Sequence, residues 1–276
     1  MNLNLTITLT TNEIIAIIGL LFTLLCTFFT YKQYEYLIKE RNNRNILKKH
    51  FDSELFGIEV INLSTYCYVV PNCTNIDPSS EAEPKHLLTI KGDMFSVFDE
   101  YLQYETQKDD AIRHILILAD SGMGKTSFLL NYYAYNLKKA KKKQLRIVLV
   151  PLGIPNTIEY IDKIQNIEET VIFLDAFDED TKAINNYQDR LALLMEKCKK
   201  CKRIVLTCRT QFFLSDEEIP VETGILKVGP RKAGDKGIFK FYKLYISPLS
   251  DSQVYQYLKK RFKWNVKKKK KSIAFN

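Results

Sequence analysis

Ala119-Asp120-Ser121-Gly122-Met123-Gly124-Lys125-Thr126 is the stretch whose residue types and spacing could do chemistry. Gly122 and Gly124 let a backbone curl so that successive N–H groups face a phosphate, and Lys125 is a cation placed to reach the β- and γ-phosphates. The Thr126 hydroxyl can take a Mg2+ position, and Ser127 ends this run of candidate nucleotide contacts as a helix begins. A second group follows about fifty residues on, at Asp175-Ala176-Phe177-Asp178-Glu179-Asp180. Asp175 closes a short apolar run, so it can hold Mg2+ opposite Thr126. Asp178 and Glu179 are placed to polarise a water that attacks the γ-phosphate. Arg209 closes a further apolar run. It can sense the γ-phosphate or pair with a surface acid.

The elements around these residues must bring them to one edge. Ile115 to Leu118, Arg146 to Leu152, Val171 to Leu174, Arg203 to Thr207 and Phe239 to Ile246 read as five strands. Helical spacing predicts helices over Met94 to Tyr104, Ser127 to Leu137, Thr157 to Ile167, Ala183 to Lys197 and Asp251 to Phe262. Phe95, Phe98 and Leu102 make the core face of the first, and Val254, Tyr257 and Leu258 share a face of the last. Thr65 to Pro71 reads as one more strand, Asn75 to Lys85 as a loop, and Gly229 to Gly237 as a hairpin turn after Ile225 to Val228. Strands alternating with helices make a parallel sheet whose ligands bind at the carboxyl ends of the strands.

The net charge of +9 is local: nine basic residues lie at Lys259, Lys260, Arg261, Lys263 and Lys267 to Lys271, with no acid after Asp251. No aromatic residue interleaves the lysine run to stack on bases, so nucleic acid is not the expected partner. Six cysteines lie at irregular spacing, and Cys198-Lys-Lys-Cys201 has no second pair or nearby His. They read as reduced, buried thiols rather than as a metal or redox centre.

Ile14 to Tyr31 is 18 residues without a charge, long enough to cross a bilayer. The segment before it has no basic side chain and no cleavage pattern follows, which argues against a secretory signal. Lys32, Lys39, Arg41, Arg44, Lys48 and Lys49 all follow the span, so the N-terminus should face out and the rest should be cytoplasmic. The expected layout is a short outer segment at 1–13, a transmembrane helix at 14–31 and a helical stalk at 32–60. A nucleotide domain at 61–250 and a lid start with basic tail at 251–276 complete it, the boundary falling between Phe51 and Tyr66.

Four stretches together resemble the NACHT group of signal-transducing (STAND) P-loop NTPases: ADSGMGKT at 119–126, FLDAFDED at 173–180, LTCRT at 206–210 and YISPLSDSQVYQYLKKRF at 245–262. The small Ala176 after Asp175, then the acids Asp178 and Glu179, match the group's acidic motif; Ala119 in place of the usual first glycine departs from it. The resemblance implies an α/β P-loop NTPase: a five-stranded parallel sheet with helices on both faces. The Arg203–Thr207 strand should lie between the phosphate-loop and acid-bearing strands. It implies a membrane-anchored switch that binds Mg2+ and ATP, with GTP as the alternative nucleotide, and hydrolyses it slowly near Glu179. In the family, nucleotide exchange and homo-oligomerisation pass a signal onward, and membrane-linked bacterial members imply immunity or phage defence. An AAA-type mechanochemical membrane ATPase and a nucleotide-binding regulator without turnover are the other readings. Family members continue through a lid, a winged helix and a repeat array, so the chain is expected to be an incomplete STAND protein.

Overall fold

In β3 (His114–Leu118), successive apolar side chains enter two different cores. Ile115 and Ile117 pack with α3 (Met94–Gln103) and α4 (Lys125–Asn136), while Leu116 and Leu118 pack with α7 (Tyr187–Lys197). Alternation along a strand buried on both sides places a helical layer on each face of one sheet. The computed structural model describes residues 10–51, 55–75, 92–103, 113–213, 225–228 and 239–262. The outer segment before Thr10, most of the loop read at Asn75 to Lys85, the Gly229 to Gly237 turn and the Lys267 to Lys271 tail lie outside the described residues.

Among the described residues the sheet has eight strands. Five run parallel, in the order β8 (Phe239–Ile246), β3, β6 (Arg203–Cys208), β5 (Thr170–Asp175) and β4 (Arg146–Pro151). The acid-bearing β5 is thus separated from β3 by β6. Three strands add to the expected five, all antiparallel. β1 (Asn72–Thr74) pairs with β8 and with β2 (Gly92–Asp93), and β7 (Ile225–Val228) pairs with the start of β8. Leu118 lies opposite Cys208, and Leu174 opposite Leu206, so the last residues of β3, β5 and β6 share one edge.

Residues up to Asn42 form one compact unit and residues from Asn43 another. The first lies in α1 (Thr11–His50), whose apolar window has mean hydropathy 2.3 and no residue buried. Among the described residues, it is the one helix long and apolar enough to cross a membrane. The hydroxyls of Thr23, Thr27 and Thr30 donate to the carbonyls of Leu20, Leu24 and Cys26 at 2.8, 2.9 and 3.0 Å. Each of these three hydroxyls is thereby satisfied within the helix. The second unit begins inside the last turns of α1 because Leu47 is fully buried in its core.

Four local expectations shift. Ile58–Thr65 is a helix (α2), and the apolar run after it turns at Cys67, whose φ is 52°, and joins no ladder; the strand comes later, at β1. The reason is competition for its carbonyls. Lys260 Nζ takes Tyr68 O at 2.6 Å and Gln253 Nε2 takes Val70 O at 2.8 Å, both from α8 (Asp251–Phe262). The helix expected from Thr157 stops at Asp162 (α5), and Asn166 then turns with a positive φ of 52°. The helix expected over Ala183 to Lys197 is two: α6 (Thr181–Asn185) and α7. Asn186 breaks it and caps α7, its side chain accepting from the Asp189 N–H at 3.2 Å. In α8 Gln253 is buried, drawn inward by its polar contacts to Val70 and Asn72, while Val254 is exposed and Tyr257 and Leu258 are half-buried.

Candidate functional site

Gly122 and Gly124 have φ of 78° and 89°, the left-handed region that costs an L side chain strain. Gly124 sits at the N-cap of α4, and the first bond inside the helix runs from Phe128 N to Gly124 O at 2.8 Å. The N–H groups of Lys125, Thr126 and Ser127 therefore open the helix without partners four residues back. No side chain caps them. Lys125 Nζ donates to Ala119 O at 2.8 Å and to Asp120 O at 3.3 Å, which uses two of its three donors. Three unpaired N–H groups and one spare ammonium donor at a positive helix end form a receptor for an anion.

Asp175 ends β5 at the same edge and is 2% exposed. Its Oδ2 accepts from Thr126 Oγ1 at 2.7 Å and its Oδ1 from Thr207 Oγ1 at 2.6 Å. Thr207 in turn accepts from the Ala176 N–H at 2.8 Å, which holds Ala176 at a positive φ of 59°. Burial raises the Asp175 carboxyl above its ordinary value, and the nearby Glu179 charge adds to this. The two threonine bonds and the Lys125 charge oppose it. The sequence reading gave Thr207 no role. Its signal is a hydroxyl in the middle of an apolar strand.

Beyond Ala176 the acids divide. Asp178 is joined to Arg209, and its side chain is 4% exposed. Asp180 is equally buried; it accepts from Arg190 Nε at 2.7 Å and caps α6 through Lys182 N at 2.9 Å. Removing one partner from such a pair strands a buried charge, at about 3–5 kcal/mol. Glu179 alone of the three is exposed. The two acids the sequence reading grouped as one device are thus in different environments, and Arg209 is held by one of them.

A cavity of about 280 Å3 opens beside the glycine loop. Gly122, Met123, Gly124 and Ser127 line it, as do Tyr66 to Val69. Ile246 to Leu249 and Tyr257 of α8 complete the lining. The non-ladder segment after α2 therefore lines the cavity.

The oxygen donors Thr126 and Asp175 suit a hard divalent cation that takes its other ligands from phosphate and water. Cys67, Cys73, Cys198, Cys201 and Cys208 are buried and form no disulfide, while Cys26 is exposed. No family model matches the chain, and no curated protein matches it.

Proposed function

We propose that this chain is a membrane-anchored NACHT-like P-loop NTPase, a switch that binds Mg-ATP and hydrolyses it slowly. One observation carries the reading: the 2.7 Å bond between Thr126 and Asp175, at the edge where a glycine loop opens α4. Few sheet proteins have reason to bury a carboxylate against the first turn of a helix already set to receive an anion. A phosphate-bound cation would give that carboxylate its counter-charge. The loop N–H groups and Lys125 hold the β- and γ-phosphates in this reading. Thr126 and Asp175 would hold Mg2+, which would supply charge neutralisation for the transferring phosphoryl group. The cavity between the loop and Tyr66–Val69 takes the nucleoside. Glu179, the exposed acid, polarises the attacking water.

The strand order also supports the reading, because β6 between β3 and β5 is the order that the NACHT resemblance implies. The membrane part rests on α1, with its apolar window followed by basic residues that favour a cytoplasmic domain. Oligomerisation and a role in immunity rest on the family resemblance.

Two experiments test this. Nucleotide released by denaturing the purified protein should be ADP or ATP; recovery of guanine nucleotide alone would reassign the substrate. A reporter fused after residue 60 should lie in the cytoplasm, and the protein should resist alkaline extraction from membranes. Release into the soluble fraction would overturn the anchor.

A further inference from the structure

The sheet edge opposite the candidate site is basic. Each parallel strand begins there, with Arg146 level with Thr170, Val171 with Arg203 and His114 with Ile204. The turn leading into β4 carries exposed Lys138, Lys141, Lys142, Lys143 and Arg146. The turn leading into β6 carries exposed Lys199, Lys200 and Lys202, and Lys202 N bonds Thr170 O at 2.9 Å, tying that turn to β5. The end of α1 joins this face. Asn43 bonds Lys138, and the His50 ring lies 5.9 Å from the Tyr133 ring of α4. Among the described residues, Asp99, Asp162 and Glu196 are already paired with Lys139, Lys197 and Lys199, and Glu168 and Glu169 lie among the remaining cations.

We propose that this basic edge docks on the surface of an anionic phospholipid bilayer. The choice of a bilayer rests on the reading that α1 crosses one. Only eleven residues separate Tyr31, where the uncharged stretch ends, from Asn43. Even fully extended they span no more than about 40 Å, so the edge is held at high effective concentration near lipid headgroups. Neither 138–146 nor 196–203 contains an aromatic side chain, so the patch lacks the stacking platforms of a single-strand nucleic-acid surface. Docking by this edge leaves the glycine loop and Glu179 on the far side, open to solvent.

The test uses the full chain reconstituted in vesicles of phosphatidylcholine alone, or with phosphatidylglycerol added. A membrane-impermeant acetylating reagent reports each lysine by mass spectrometry. Lys141, Lys142, Lys143 and Lys200 should acetylate at least about fivefold more slowly on the anionic vesicles, with the protection lost in about 0.5 M salt. Charge reversal of Lys141, Lys142 and Lys143 to Glu should remove the protection of Lys200, and Lys200→Glu with Lys202→Glu should weaken that of Lys142. Equal rates on both vesicles in protein that resists alkaline extraction would overturn the proposal. So would protection by a single-stranded RNA and not by anionic lipid. If alkaline treatment releases the protein, the anchor reading fails, and the labelling on added vesicles still decides the patch.

Discussion

Asp178 and Arg209 are joined twice: the guanidinium Nε lies 2.7 Å from Oδ2, and the Arg209 backbone N–H donates to Oδ1 at 3.1 Å. The carboxylate is nearly buried while the guanidinium is half exposed. The pair bridges the turn after β5 and the end of β6, and so fixes the loop that presents Glu179.

That linkage sets the first prediction. Arg209→Ala leaves a buried carboxylate with one backbone donor, which should cost about 1–3 kcal/mol. Asp178→Ala in the same background should cost little more. A double-mutant cycle by urea unfolding should therefore give a coupling of about 1 kcal/mol. Additive losses would mean that the two side chains do not act as one unit.

The same geometry separates the two acids in catalysis. Glu179→Gln should keep nucleotide binding and lower turnover by about a hundredfold or more, as loss of a general base does. Asp178→Asn should lower it less, acting through the position of the loop. Single-turnover ATP hydrolysis measures both, and the reverse ranking would transfer the base to Asp178.

Asp175 offers a prediction with a definite pH sign. Its carboxyl is raised in the folded chain, chiefly by burial, above the ordinary value of 3.8. Ionisation then costs more in the folded state than in the unfolded one. Its contribution to stability is greatest below the ordinary value and declines as pH rises through the folded one. Asp175→Asn should therefore melt higher than the parent at neutral pH without nucleotide, by about 2–4 °C for each 1 kcal/mol relieved. The advantage should shrink toward low pH, where the parent carboxyl is protonated. The variant should also lose the Mg2+ dependence of nucleotide binding. Calorimetry over a pH series reads the first effect and binding with and without Mg2+ the second.

Much of this arrangement is legible in the residues themselves. The apolar runs of β3, β5, β6 and β8 are short and bounded, and α8 has the limits its spacing gives. Long-range competition is not legible. Val69 and Val70 favour a strand, yet their segment is claimed by Gln253 and Lys260, more than 180 residues away. The break at Asn186 shows only once its side chain is seen to cap the Asp189 N–H. Thr207 and Asp175 lie 32 residues apart, and only the strand register makes them neighbours. Likewise the sequence places Asp178 and Arg209 at one edge but not in each other's grasp.

The most direct test of the central claim is the affinity of the full chain for labelled ATP with Mg2+, compared with Lys125→Ala. The ammonium is held to the loop by Ala119 and Asp120 and keeps one donor for a phosphate. Losing that charge-assisted contact should cost about 1.5–3 kcal/mol, a weakening of about 10- to 150-fold. Unchanged affinity in a variant that melts like the parent would contradict the account.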